Sequence, residues 1–194
     1  MERRIAWSPA SAVLMLGVFL LSFGLVAPRA WAVGNHGDNA NAGRLLNRAN
    51  YQAIQLNKDA NQMTALINSN VGWRGRVDDL VRVKQRVNKL GKVIYELQSS
   101  QADASPWQKK SIDHVVPLLQ YMAVNTTDEI NYLNSHHDFP DSPQYTNLAN
   151  QSAQIARELS GRISDIARYS KDKSQLARLS NTLNLPTRIT RANG

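Results

Sequence analysis

Cysteine does not occur anywhere in the 194 residues. Its absence excludes disulfides, thiolate metal sites, covalent c-type haem, cysteine nucleophiles and lipid attachment at an N-terminal cysteine. Phosphate-binding glycine loops, nucleophile elbows and zinc-protease motifs are missing too. Beyond residue 32 there are three glutamates, Glu96, Glu129 and Glu158, and none has histidine three residues later. The Glu-x-x-His pairs of a di-iron bundle are therefore absent. Aromatic residues make up 7% of the chain and do not interleave with a concentrated basic run, which disfavours nucleic acid as a partner. No catalytic, cofactor or metal residue is assigned, and a non-enzymatic protein is expected.

The N-terminus is the most informative stretch. Met1-Glu2-Arg3-Arg4 is a short basic start, residues 10–27 are apolar and uncharged, Pro28 breaks the run, and Ala30-Trp31-Ala32 places small residues where a signal peptidase reads them. The pattern predicts a signal peptide over 1–32, cleaved after Ala32, and a periplasmic or extracellular destination. The alternative is retention as an anchor, since the run approaches the roughly 20 residues that span a bilayer; membrane contact is expected only through this segment. Arg3-Arg4 supplies n-region charge, and with no cofactor motif there is little to favour export in the folded state.

A disulfide-free exported domain must hold together by packing, so its helices need continuous apolar seams. Ala42, Leu46, Ala49, Ala53, Leu56, Ala60, Met63 and Ile67 alternate spacings of four and three, an a/d seam rich in small residues. Asn70-Val71-Gly72 is expected to end this helix, with Gly72 as a left-handed C-terminal residue. A second helix is predicted over about 73–98 from Trp73, Val77, Leu80, Val83, Val87, Leu90, Ile94 and Leu97. Ser105-Pro106-Trp107-Gln108 reads as a capped start of a third helix, which Ile112, Val115, Leu119, Met122, Ile130 and Leu133 continue. Pro117 is expected to kink it. Ser142-Pro143 repeats the start signal, and Tyr145, Leu148, Ile155, Leu159, Ile163 and Ile166 form a fourth stripe. The pattern lapses over 170–174; Leu176, Leu179 and Leu183 resume it, so the helix continues or bends there. Pro186 is expected to stop it.

The connections are short, which predicts an all-α, antiparallel up-down-up-down four-helix bundle with coiled-coil-like seams and helices about 40 Å long. The domain reading is a signal peptide over 1–32, a frayed lead over 33–42, the bundle over 43–185 and a flexible basic tail over 186–194.

Charge is uneven along the chain. Residues 33–72 carry +1, 73–103 carry +3, 104–142 carry −3 and 143–194 carry +5. In that bundle order the acidic third helix neighbours both basic ones. Arg74, Arg82, Arg86, Lys89 and Lys92 fall within about 120° on the side of helix 2 opposite its stripe, a candidate face for an anionic partner. Asp78, four residues from both Arg74 and Arg82, is expected to pair locally. Trp107, His114 and Tyr121 recur at heptad spacing on one flank of helix 3, a candidate groove. Haem ligation would have to draw on His114 with Met63 or Met122, and metal on His136-His137-Asp138. Plain packing for the methionines and a helix-terminal turn for the histidines are the simpler readings. Two glycosylation sequons, Asn125-Thr126-Thr127 and Asn150-Gln151-Ser152, fall inside helices.

Three stretches taken together, Val87-Asn88-Lys89-Leu90-Gly91-Lys92, Ala104-Ser105-Pro106-Trp107-Gln108 and Ile112-Asp113-His114-Val115-Val116-Pro117, resemble a group of exported bacterial helical proteins with no assigned function. The resemblance covers roughly residues 73–140. It implies a signal peptide followed by a bundle and carries no site residues across. The functional expectation is an exported helical bundle that binds a protein or an anionic envelope component; the alternative is a bundle carrying a small ligand, metal or haem.

Overall fold

The computed structural model describes residues 40–67, 69, 71–100, 104–136 and 142–183. The signal-type segment, the basic tail and His137-Asp138 lie outside these residues. Within them are four helices: α1 (Ala40–Ala65), α2 (Trp73–Ser99), α3 (Pro106–Ser135) and α4 (Pro143–Thr182). The close pairs are α1 with α2, α2 with α3, α3 with α4 and α4 with α1. This is the ring of antiparallel neighbours that short connections impose, an all-α four-helix bundle.

Local chemistry sets where the helices start. The Ser105 backbone N–H donates to Gln108 Oε1 at 2.9 Å, completing a capping box with Pro106 at the first helical position. At α4, Ser142 Oγ accepts the Tyr145 N–H at 3.1 Å, again ahead of a proline. The α1–α2 corner differs from expectation. Gly72 has φ −66° and ψ 171° and stands as the N-cap of α2, not as a left-handed end of α1. α1 has already finished at Ala65, and Leu66 and Ile67 turn the chain through hydrogen bonds to the Met63 and Thr64 carbonyls. Extended backbone at Gly72 delivers its carbonyl to the N–H groups of Gly75 and Arg76, so the glycine serves the start of α2. At the other end α1 begins at Ala40, inside the stretch assigned to the lead, because Ala42 is already a core residue.

The a/d seam of α1 is buried from Ala42 to Met63, whereas Ile67, its last expected position, lies past the end of the helix and is half-buried. Ala49, Ala53, Leu56 and Ala60 are fully inaccessible, and Ala42, Leu46 and Met63 nearly so. Leu80, Val83, Leu90 and Leu97 from α2, Ile112, Val115, Met122 and Leu133 from α3, and Tyr145, Ala149, Ala156, Leu159 and Ile163 from α4 complete one apolar core. Pro117 sits inside α3 without ending it. Its ring is exposed, as is Asp113 one turn earlier, so the carbonyl that proline leaves without its helical donor lies where water can reach it. α4 neither stops nor breaks at 170–174 and runs for 40 residues.

Alanine on the α1 seam leaves no room for a longer side chain. Ala53→Leu should cost about 1–3 kcal/mol through overpacking, whereas Ile54→Leu on the exposed side of the same turn should leave the urea midpoint within error. Chemical denaturation of the two variants checks this.

Candidate functional site

Two surface grooves open on opposite sides of the ring, each containing part of a sequence-predicted set. Antiparallel packing of α1 on α2 brings Arg48 Nη1 within 3.0 Å of Glu96 Oε2 and Arg86 Nε within 2.9 Å of Asp59 Oδ2. Between these cross-links lies a groove of about 530 Å³ lined by Asn47, Arg48, Tyr51, Gln52, Lys89, Lys92 and Val93. Three cations converge on it, against one carboxylate at its edge. Tyr51 and the neighbouring Tyr95 stand more than half exposed. Gln52 Oε1 is buried and meets no protein donor.

The basic face of α2 is therefore divided. Arg82 is held by Asp79, a buried carboxylate three residues before it. Its expected local partner Asp78 is instead exposed, because Asp79 points toward the core and needs a counter-charge there. Arg86 is tied to the nearly buried Asp59. Lys89 and Lys92 are exposed and line the groove; Arg74 is exposed at the far end of the helix. Arg48 joins them from α1, at a position outside the a/d seam that marks that helix in the sequence. Positions 48 and 52, one turn apart on α1, were the available signal.

The second groove, about 340 Å³, lies between α3 and α4 and is lined by Trp107, Lys110, Ser111, His114, Asp165, Ile166 and Tyr169. Trp107 meets Tyr169 edge-on with centroids 4.8 Å apart, and Lys173 Nζ stands 5.4 Å from the Trp107 ring centre. Of the three heptad-spaced residues, Trp107 and His114 share this groove. Tyr121 is exposed two turns further on and does not line it.

The other end of the bundle is closed by stacked polar rings. His136 lies flat on Tyr132 with centroids 4.1 Å apart, Tyr132 stacks on Tyr145 at 5.9 Å, and the buried Arg76 sits over Tyr145 at 5.8 Å. Arg76 Nη2 also donates to the Ile67 carbonyl at 3.1 Å, just past the end of α1, where a cation suits the helix dipole. Sequence reading left out Arg76 and Asp79, although both sit at stripe spacing with Leu80 and Val83.

The acid most altered by its surroundings is Glu129, fully buried on α3. Neither carboxyl oxygen meets a protein donor in hydrogen-bonding geometry. Burial pushes its pKa from the ordinary 4.5 up to about 8; the adjacent Ser152 hydroxyl opposes that rise and the Asp128 charge adds to it. Ser152 in turn accepts from Asn125 Nδ2 at 2.8 Å, and the same amide reaches the Leu148 carbonyl at 2.8 Å. Asn125 is thus committed inside the α3–α4 interface and is not accessible to glycosylation in the folded protein.

Met63 and Met122 pack in the core, and His114 is exposed, so no described histidine faces the methionines across the interior. Among the described residues no three metal-ligating side chains come together, and no helix is long and apolar enough to cross a membrane. No protein-family model, curated protein or solved structure matches this chain.

A buried acid with a raised pKa is protonated in the fold and ionises readily once unfolded. Below pH 4.5 it costs the fold nothing through ionisation. Between 4.5 and about 8 the unfolded state gains by releasing the proton, and stability falls by up to about 1.4 kcal/mol per pH unit. Glu129→Gln should remove that slope. The difference in unfolding free energy between variant and wild type, measured from pH 5 to pH 8, should grow in the variant's favour; a constant difference would contradict the assignment.

Proposed function

We propose that this chain is an exported, non-enzymatic helical bundle of the cell envelope or extracellular space that binds an anionic macromolecular partner on its α1–α2 face. The observation that carries the reading is the convergence of Arg48, Lys89 and Lys92 on one groove. Arg82 and Arg86 are bound to Asp79 and Asp59, and Arg48 is held at the groove's edge by Glu96, so the cations left to meet a partner are chiefly the exposed Lys89 and Lys92, together with Arg74. Exposed Tyr51 and Tyr95 add flat, amphipathic surface beside them. The signal-type N-terminus and the resemblance across residues 73–140 support export. A partner held by several exposed cations binds in a salt-dependent way.

Two measurements test this. Intact mass of the protein recovered from outside the cytoplasm should begin at Val33. Lys89→Glu with Lys92→Glu should lower the salt concentration that elutes the protein from isolated envelope fractions without altering its melting temperature. Arg86→Glu should instead destabilise the fold, because it leaves Asp59 facing a second carboxylate. Retention that is insensitive to both salt and the lysine reversals would overturn the electrostatic reading.

A further inference from the structure

The floor of the α1–α2 groove is polar, and the protein leaves it unsatisfied. Gln52 lies on the side of α1 that faces α2, between the Arg48–Glu96 and Arg86–Asp59 cross-links. It is half-buried, and its side-chain oxygen is buried and receives no hydrogen bond from the protein. Above it stand Lys89 and Lys92, exposed and one turn apart on α2. Among the described residues neither lysine is paired with a carboxylate, whereas Arg48 on the opposite wall is held by Glu96. An acceptor without a donor beneath two cations sets two conditions at once. The lysines attract carboxylate or phosphate oxygens. The Gln52 oxygen needs an O–H or N–H donor, which an ionised carboxylate or phosphate does not supply. A ligand that meets both conditions carries donors close beside its anionic group.

Anionic partners meet those conditions unequally. A helical peptide docks on an apolar groove, and the apolar residue lining this one is Val93, 4% exposed. An extended peptide adds to a sheet edge, and the described residues contain no strand. A bilayer surface is met by a broad apolar face, whereas here the unsatisfied oxygen is recessed below the lysines. A sugar ring that bears a carboxylate or phosphate has hydroxyl donors within a few bonds of its charge. It also has a flat C–H face that can lie on an exposed aromatic ring, and Tyr51, 58% exposed, offers one at the groove. The volume of about 530 Å³ is in the range that small ligands occupy. We propose that the α1–α2 groove binds an acidic glycan. Lys89 and Lys92 hold its anionic groups, Gln52 Oε1 accepts a ring hydroxyl, and a ring face rests on Tyr51. The site is the anionic face proposed above, and its assignment to a sugar rests on that reading.

The full chain is titrated calorimetrically with two sugar anions and two controls. Trigalacturonate carries hydroxyls beside carboxylates and glucose 6-phosphate carries them near a phosphate; the tighter of the two names the anionic group. Tricarballylate supplies carboxylates without a donor, and a capped triglutamate supplies them on a peptide. The tighter sugar anion should bind about tenfold more strongly than either control, the effect of one buried hydrogen bond made instead of missed. Gln52→Met keeps the length of the side chain and removes the acceptor. It should weaken the sugar anion about tenfold and leave tricarballylate binding as it was. It should not lower the melting temperature, because the lost oxygen had no protein partner. Lys89→Glu with Lys92→Glu should abolish binding of the sugar anion. Equal binding of sugar anion and tricarballylate, equal or tighter binding of triglutamate, or undiminished sugar binding by either variant would overturn the proposal. Envelope retention that depends on salt and on the two lysines would survive any of those results and keep the broader anionic reading; retention independent of both removes the two together.

Discussion

Small side chains along α1 and α4 set the distance at which the rest of the bundle must close. Ala42, Ala49, Ala53 and Ala60 from α1, with Ala149, Ser152, Ala156 and Ser160 from α4, are all buried. No disulfide holds the helices, so their association rests on dispersion and apolar burial at close range. Hydroxyls are tolerated in these seams because they find local partners. Ser164 donates to Asn50 Oδ1 at 2.7 Å across the α1–α4 boundary, and Ser152 accepts from Asn125. Larger residues then fill the remaining volume from α2 and α3, which is why leucine, valine and isoleucine dominate those two stripes.

Close packing also explains the placement of the buried charges. Asp59 and Asp79 lie at the edges of the interior, where Arg86 and Arg82 reach them from partly exposed positions. Arg76 stands at a helix terminus with a carbonyl acceptor and an aromatic face. Glu129 is the exception: it lies in mid-helix against α4 beside the Ser152 hydroxyl and close to the like charge of Asp128, and the inexpensive state there is the neutral acid. The bundle thus accommodates three buried ionisable groups by pairing or capping and a fourth by keeping its proton. That difference gives Glu129 its pH dependence.

Most of the fold is legible in the residues because helix starts and apolar stripes are local signals. Ser105-Pro106 and Ser142-Pro143 mark their helices to the residue, and the α2 stripe is buried along its length except at Trp73 and Val77, which are half-buried. What could not be read was non-local. Gly72 looked like a helix end because glycine commonly serves there; the tightening of α1 after Ala65 gave it to the next helix instead. Asp78 and Asp79 are adjacent, and only the rotation of α2 against the core decides which of them holds Arg82. Arg48 enters the basic groove from a helix whose own pattern says nothing about α2. Glu129 has the spacing of a core position, but its charge argues for solvent, and position alone does not reveal which consideration prevails.

The length of α4 follows from the same physics and bears on function. Once a helix is nucleated in a packed bundle, each further residue costs little, so α4 runs on to Thr182, past Ser170, its last buried residue. Propagation does not, however, require leucine at three seam positions; polar residues would extend the helix as well and keep it soluble. Both grooves lie toward the end from which this extension projects: Arg48 and Lys92 are near the start of α1 and the end of α2, and Trp107 and Tyr169 are near the start of α3 and the late turns of α4. The opposite end is closed by His136, Tyr132, Tyr145 and Arg76. Polar side chains are spent on sealing one end of the bundle, while cations and apolar groups are left facing outward at the other, which makes that end the place to look for partners.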